Sequence, residues 1–171
     1  YLRKKLREKN KFHELKEPNL LSYLDLVALG TVCDVVELKR YNRLFVKKGL
    51  ELIHKRYHRG IAKLIDNSKI ASSPTSQDLG FVVGPQINAA SRIDDSSLAS
   101  KLLISNDIEQ IDSISRKLFL LNEKRKLIES QILDDANNQA ENQRNSNYIL
   151  VYGNNWHQGV LGIIASKIKD I

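Results

Sequence analysis

The chain has one cysteine, no methionine and no long apolar run among its 171 residues. Cys33 alone cannot close an internal disulfide, which excludes a disulfide-framed scaffold and fits a reducing cytoplasm. One cysteine and four scattered histidines also exclude a zinc cluster. No stretch approaches the ~20 apolar residues of a membrane-spanning helix, and no signal-peptide pattern opens the chain. No glycine-rich loop ending in Gly-Lys cradles a phosphate, so nothing points to a nucleoside triphosphatase. Tyr1 opens inside an amphipathic helical pattern running to Phe12, and Ile171 closes inside another. With methionine missing altogether, the chain reads as an internal piece of a longer protein.

What is present begins with charge. Lys and Arg number 27 against 20 Asp and Glu, a net +7, which suits a polyanionic partner and equally suits a basic protein that binds none. Apolar residues at 42% are enough to bury a core. Leu20, Leu21, Leu24, Val27, Ala28 and Thr31 recur at helical spacing and predict a buried helix, ending at Gly30–Thr31 before the apolar stretch Val32–Val36. A second helix is expected from about Asn42 to Tyr57, and the Ser- and Asn-rich segment Asn67–Ser76 reads as a loop. Thr75 and Asp78 have the spacing of a helix-start cap. Gly84–Arg92 reads as a polar loop between small residues. From Asp107 to about Gln143 the apolar positions Ile111, Ile114, Leu118, Leu121, Ile128, Ile132 and Ala136 predict one long helix, interrupted on that stripe by Arg125. Tyr148–Tyr152 is β-branched and aromatic and predicts a strand, turned by Gly153-Asn154-Asn155 into a helix over Gly159–Lys169. The expected fold class is α/β and mostly helical, a junction between two α/β domains joined by the long helix.

Three places could carry chemistry. Asp34, between Val32-Cys33 and Val35-Val36, is either a helix cap or a ligand for a hard divalent ion, and one carboxylate cannot hold a metal pair. Arg92, beside Ser91 and near Asn88, either pairs with Asp94 or Asp95 on the surface or converges with its neighbours on a phosphate. Trp156-His157-Gln158-Gly159 opens a helix where backbone N–H groups can meet an anion, or else is a tight turn with Trp156 packed on a sheet edge. His13, His54 and His58 lie in charged helical stretches and read as solvated.

Four blocks of the sequence resemble the RecJ family of single-strand-specific 5′→3′ DNA exonucleases, within the DHH phosphoesterase superfamily. They are Tyr23–Leu38 (YLDLVALGTVCDVVEL), Asp78–Ile93 (DLGFVVGPQINAASRI), Leu121–Ile128 (LNEKRKLI) and Trp156–Lys167 (WHQGVLGIIASK). The resemblance implies the C-terminal part of a DHH catalytic domain over 1–105, a connecting helix over 106–145 and the beginning of a DHH-associated domain over 146–171. It implies that Asp34 is a catalytic metal carboxylate in a two-ion Mn²⁺ or Mg²⁺ site whose other ligands lie outside this stretch. Ser91 and Arg92 become the main phosphate contacts and Asn88 a supporting one, with Trp156 and His157 on the surface facing the DNA. Single-stranded DNA is the implied substrate, a single-strand-binding protein or a helicase an implied partner, and the protein an implied cytoplasmic monomer.

The chain also departs from the family pattern. Ser91 stands where many relatives carry Gly, Gln86 where Arg is common and Glu37 where Pro is frequent, so Gln86 is expected to be a weak DNA contact only. Alternatives are a DHH phosphoesterase acting on short oligonucleotides or cyclic dinucleotides, and a non-catalytic relative that binds single strands. A lone Asp34 implies that these 171 residues are inactive by themselves.

Overall fold

A computed structural model describes residues 1–70 and 73–169, and all regular structure among them is helical. Helix α1 (Leu2–Glu8) and a 3₁₀ turn at Lys11–His13 bury nothing. Helix α2 (Leu24–Cys33) follows a 3₁₀ turn at Leu20–Tyr23 and packs on α3 (Arg40–His54). Their close approach depends on Gly49, because a Cβ there would collide with the Leu24 carbonyl and the Ala28 methyl. Helix α2 runs three residues further than expected and buries Asp25, Ala28 and Leu29. Leu20, Leu21 and Val27, assigned inward by their spacing, are exposed.

Helix α4 (Arg59–Asn67) presents Ile61, Leu64 and Ile65 to the core, each almost fully buried. Burial of side chains of this size stabilises by about 1.5–3 kcal/mol each. Thr75 then starts a continuous helical run: α5 (Ser76–Asp78), a π-turn at Leu79–Val83 and α6 (Gly84–Ile93). The Thr75 hydroxyl accepts from the Asp78 amide at 3.3 Å and the Asp78 carboxylate accepts from the Thr75 amide at 2.8 Å, the reciprocal capping box expected from their spacing.

The loop expected over Gly84–Arg92 is therefore a helix. Pro85 lies inside the continuous run, directly after the π-turn at Leu79–Val83 whose wider winding accommodates the missing N–H. Ala89 and Ala90 then continue it against the core.

Helix α7 (Ser97–Ile104) leads to α8 (Ile108–Glu141), whose 34 residues extend for about 51 Å. Asp107 caps it, accepting from the Glu109 amide at 2.9 Å. Two separate apolar clusters lie along α8. Ile111, Ile114 and Leu118 join the core of α2, α3, α4 and α7, whereas Ile132, Ala136 and Ala140 join Val160, Ile164 and Ile168 of α9 (Gln158–Ile168). The sequence pattern expected to continue to Ile171 passes outside the described residues beyond 169.

No strand occurs among the described residues, and this corrects the expectation for Tyr148–Tyr152. A β-prone composition supplies an extended backbone, but a strand also needs a ladder partner. Here the partner is a pair of glutamine side chains, Gln139 of α8 and Gln143 just beyond its end. Gln143 donates to the Leu150 carbonyl at 2.8 Å and accepts from the Leu150 amide at 2.9 Å. Gln139 does the same to Tyr152, at 2.9 and 3.1 Å. Residues four apart on a helix rise about 6 Å, close to the span of two residues of extended chain, so the two periods match.

Candidate phosphodiester site

The C-terminal end of α2 is built tightly. Cys33 donates through Sγ to the Leu79 carbonyl at 3.7 Å, and a Cβ on Gly84 would meet that sulfur. Burial first, then the neighbouring Asp34 charge, pushes the Cys33 thiol above its ordinary pKa. Asp34 ends the helix, its amide bonded to the Gly30 carbonyl at 3.0 Å. The chain then reverses: the Val36 amide reaches the Thr31 carbonyl at 3.0 Å and the Val35 amide the Val32 carbonyl at 3.1 Å. That is a Schellman ending, which normally places glycine at the left-handed position. Here Val35 occupies it, with φ 54°. A β-branched residue in this region is a strained outlier, and such strain gathers where a neighbouring group must be aimed.

Asp34 is exposed, so burial imposes no cost on its carboxylate, contrary to what its apolar neighbours suggest. Helix α3 begins at Arg40 after Lys39, so Asp34 does not cap it. The carboxylate is of the kind a hard divalent ion takes. Among the described residues no group of three or more His, Cys, Asp or Glu could hold a metal ion, so the donor fits in kind and falls short in number.

From Gly84, beside Cys33, helix α6 rises about 12 Å to Arg92. Asn88, Ser91 and Arg92 share one exposed face at helical spacing, and the Ser91 hydroxyl donates to the Asn88 carbonyl at 3.0 Å. Neither acid expected to neutralise Arg92 does so. Asp94 pairs with Lys117 at 2.7 Å, which holds its carboxyl below the usual range, and Asp95 bonds Ser97 and Lys101. Arg92 instead donates through Nη1 to the Gly159 carbonyl at 2.9 Å. A guanidinium has five N–H donors, so most of its fork stays available to an anion.

Gln86, placed with these residues by sequence, is 3% exposed and turns inward. Its amide donates to the Ser68 hydroxyl at 2.7 Å and the Val82 carbonyl at 3.0 Å, so it presents nothing to a strand. Trp156 is half-buried on α8, its indole donating to Asp135 at 3.1 Å. That position is a helix side, in place of the sheet edge expected. His157 caps α9 by accepting from the Gly159 amide at 3.1 Å, which occupies one of the N–H groups an anion would use.

One pair escaped the sequence reading. Asp25 is fully buried and bonds His58 at Nδ1, so His58 is not solvated as its charged neighbours suggested. The available signal was a lone acid inside the apolar run Leu24–Leu29. His54 lies 3.3 Å from the Ser73 hydroxyl.

This helical framework is that of solved nucleases. It matches the crystal structure of RecJ in complex with Mn²⁺ from Thermus thermophilus with a TM-score of 0.82 and 31% identity, over 93% of this chain and 24% of that one. It also matches a crystal structure of exonuclease RecJ bound to manganese, with a TM-score of 0.81 and 30% identity over 92% of this chain and 40% of that one. Among curated proteins, the single-stranded-DNA-specific exonuclease RecJ of Dickeya dadantii is 43% identical over 178 aligned residues, and that of Escherichia coli is 39% identical. Each alignment covers 99% of this chain and 31% of the relative's length. No protein-family model matches the chain. The chain belongs to the RecJ family, and it spans about a third of the length of these curated relatives. No helix among the described residues is long and apolar enough to cross a membrane.

Proposed function

We propose that this chain is part of a metal-dependent exonuclease that degrades single-stranded DNA from the 5′ end, in recombination and repair within the cytoplasm. The observation that carries the reading is the composition of one helix and its two ends. Its beginning is wedged against the turn that presents Asp34, and its far end presents Asn88, Ser91 and Arg92 on one open face. The relatives' names, single-stranded-DNA-specific exonuclease, support the substrate. The neighbours solved with Mn²⁺ or Mg²⁺ support the cofactor.

In this reading Asp34 supplies one hard oxygen ligand, and the remaining ligands come from the two thirds of the relatives' length that this chain does not match. A bound divalent pair supplies Lewis acidity at the phosphoryl oxygen and a nucleophile at neutral pH. Arg92 offers a planar fork to two phosphate oxygens, and the Ser91 hydroxyl turns from the Asn88 carbonyl to a third. The tie from Arg92 to Gly159 holds the fork before substrate arrives, so little side-chain freedom is lost on binding. Trp156 and His157 act indirectly, fixing the start of α9 beside that fork. These residues alone are inactive, and the complete protein works as a monomer, with a helicase or a single-strand-binding protein presenting the strand.

The test is digestion by the complete protein of single strands labelled at the 5′ or the 3′ end, with Mn²⁺ or with EDTA. Metal-dependent release of the 5′ label first is the expected result. Cleavage confined to short oligonucleotides or cyclic dinucleotides, or binding without cleavage, would overturn the reading in favour of another activity.

A further inference from the structure

Phe81 is 81% exposed, about twice as open as Phe45 at 39% and Phe119 at 38%. A lone apolar side chain at a surface is ordinary. What distinguishes Phe81 is the backbone that holds it out. It sits at the middle of the π-turn Leu79–Val83, where the Gly84 amide reaches back five residues to the Leu79 carbonyl. Pro85 has no N–H to return to the Phe81 carbonyl, so ordinary α winding cannot continue across Phe81. Turns of this kind are rare and gather at functional sites. Leu79 and Val83, two residues to either side, are fully buried, which anchors the turn in the core and leaves Phe81 facing out.

The turn lies against the end of α2. A Cβ on Gly80 would come within 3.3 Å of Val32, and one on Gly84 would meet Cys33. Phe81 therefore stands beside the last turn of α2, which ends at Asp34. In the other direction the outward positions continue through Asn88 to Ser91 and Arg92, while Val83, Gln86, Ala89 and Ala90 face the core. The run rises about 16 Å from Phe81 to Arg92, the length of about five stacked nucleotides.

On the reading of the chain as part of a strand-degrading enzyme, we propose that Phe81 is a base-stacking platform. A nucleobase of the strand whose backbone meets Asn88, Ser91 and Arg92 lies on its ring, next to the turn that presents Asp34. Guanidinium, hydroxyl and amide groups grip phosphate oxygens and leave each nucleotide free to rotate about its backbone. A ring under the base removes that freedom. The phenyl group offers a π-face and no hydrogen-bonding atom, so it takes all four bases. It orients the strand and exchanges no proton.

The test uses the complete protein with Phe81→Ala and Phe81→Trp, on a 5′-labelled single strand and on one of equal length whose first sugars carry no bases. Phe81→Ala is expected to raise the KM for the ordinary strand about tenfold, with kcat held within about threefold. On the base-free strand the wild type should lose that advantage, and the two proteins should share one KM. Phe81→Trp should keep the wild-type KM, and its added indole emission should be quenched when an ordinary strand binds in EDTA. An equal rise in KM on both strands would make Phe81 a structural residue, and an unchanged KM on both would remove the contact. Either result overturns the proposal. So would a Phe81→Trp indole shielded from acrylamide in the strand-free protein, because the rest of the chain would then cover the ring. A wild type that digests neither strand would overturn the functional reading, and quenching of the Phe81→Trp indole by strands with and without bases would then decide the stacking alone.

Discussion

Arg92 donates a hydrogen bond to the carbonyl of Gly159, 67 positions further along the chain, at 2.9 Å. The two backbones also touch: a Cβ on Gly159 would collide with the Arg92 carbonyl oxygen. A candidate phosphate ligand and the first turn of the helix on the second apolar cluster are thereby one unit. Arg92 is held from behind by protein and faces solvent in front.

Gly159→Ala is therefore expected to prise α9 from α6 at its start. Forced overpacking of this kind costs about 1–3 kcal/mol. The thermal midpoint should fall, and the single-strand KM should rise more than kcat falls. A variant that melts and binds as wild type would show that the contact yields without consequence.

The glutamine ladder gives a second expectation. Gln139→Leu removes two hydrogen bonds to Tyr152 and leaves its backbone groups to water, a loss of about 1 kcal/mol for each bond. Exchange at the Tyr152 amide should quicken sharply, and Gln143→Leu should do the same at Leu150. Slow exchange at Tyr152 in the Gln139 variant would mean that another partner holds that segment.

Asp25→Ala breaks a fully buried pair and leaves His58 without its carboxylate. Loss of one partner from a buried hydrogen-bonded pair costs about 1–3 kcal/mol, a sizeable part of a domain's stability. The variant is expected to unfold at far lower denaturant than wild type, with Asp25→Asn between them. Equal midpoints for all three would remove the pair from the account of the fold.

Val35→Gly releases a left-handed valine and should raise stability by about 1 kcal/mol. It should also loosen Asp34, so that a more stable protein is a slower enzyme in limiting Mn²⁺. Higher stability at undiminished activity would show that the strained turn does not aim the carboxylate.

Features set by local chemistry were legible in the sequence. The Thr75–Asp78 cap, the Asp107 start of α8 and the helix over Arg40–His54 each depend on residues within a few positions of one another. What depended on distant partners was not. Gly84–Arg92 carries the residues of a loop, and it is helical because a capped run ahead of it and the core beside Ala89 and Ala90 continue it. Tyr148–Tyr152 has the residues of a strand, but two glutamine side chains take the place of its ladder. Gln86 looked available for DNA until Ser68, 18 residues away, claimed its amide. Asn88, Ser91 and Arg92 stood out in the sequence as candidate polar groups, and the helix that joins them was not legible.

The most direct measurement is single-turnover digestion of 5′-labelled single strands by the complete protein in Mn²⁺, wild type against Asp34→Ala. Loss of a metal carboxylate should lower the rate by about a hundredfold or more while strand binding persists through Arg92. An Asp34→Ala protein that releases the label at the wild-type rate would contradict the account and leave Asp34 as no more than the end of a helix.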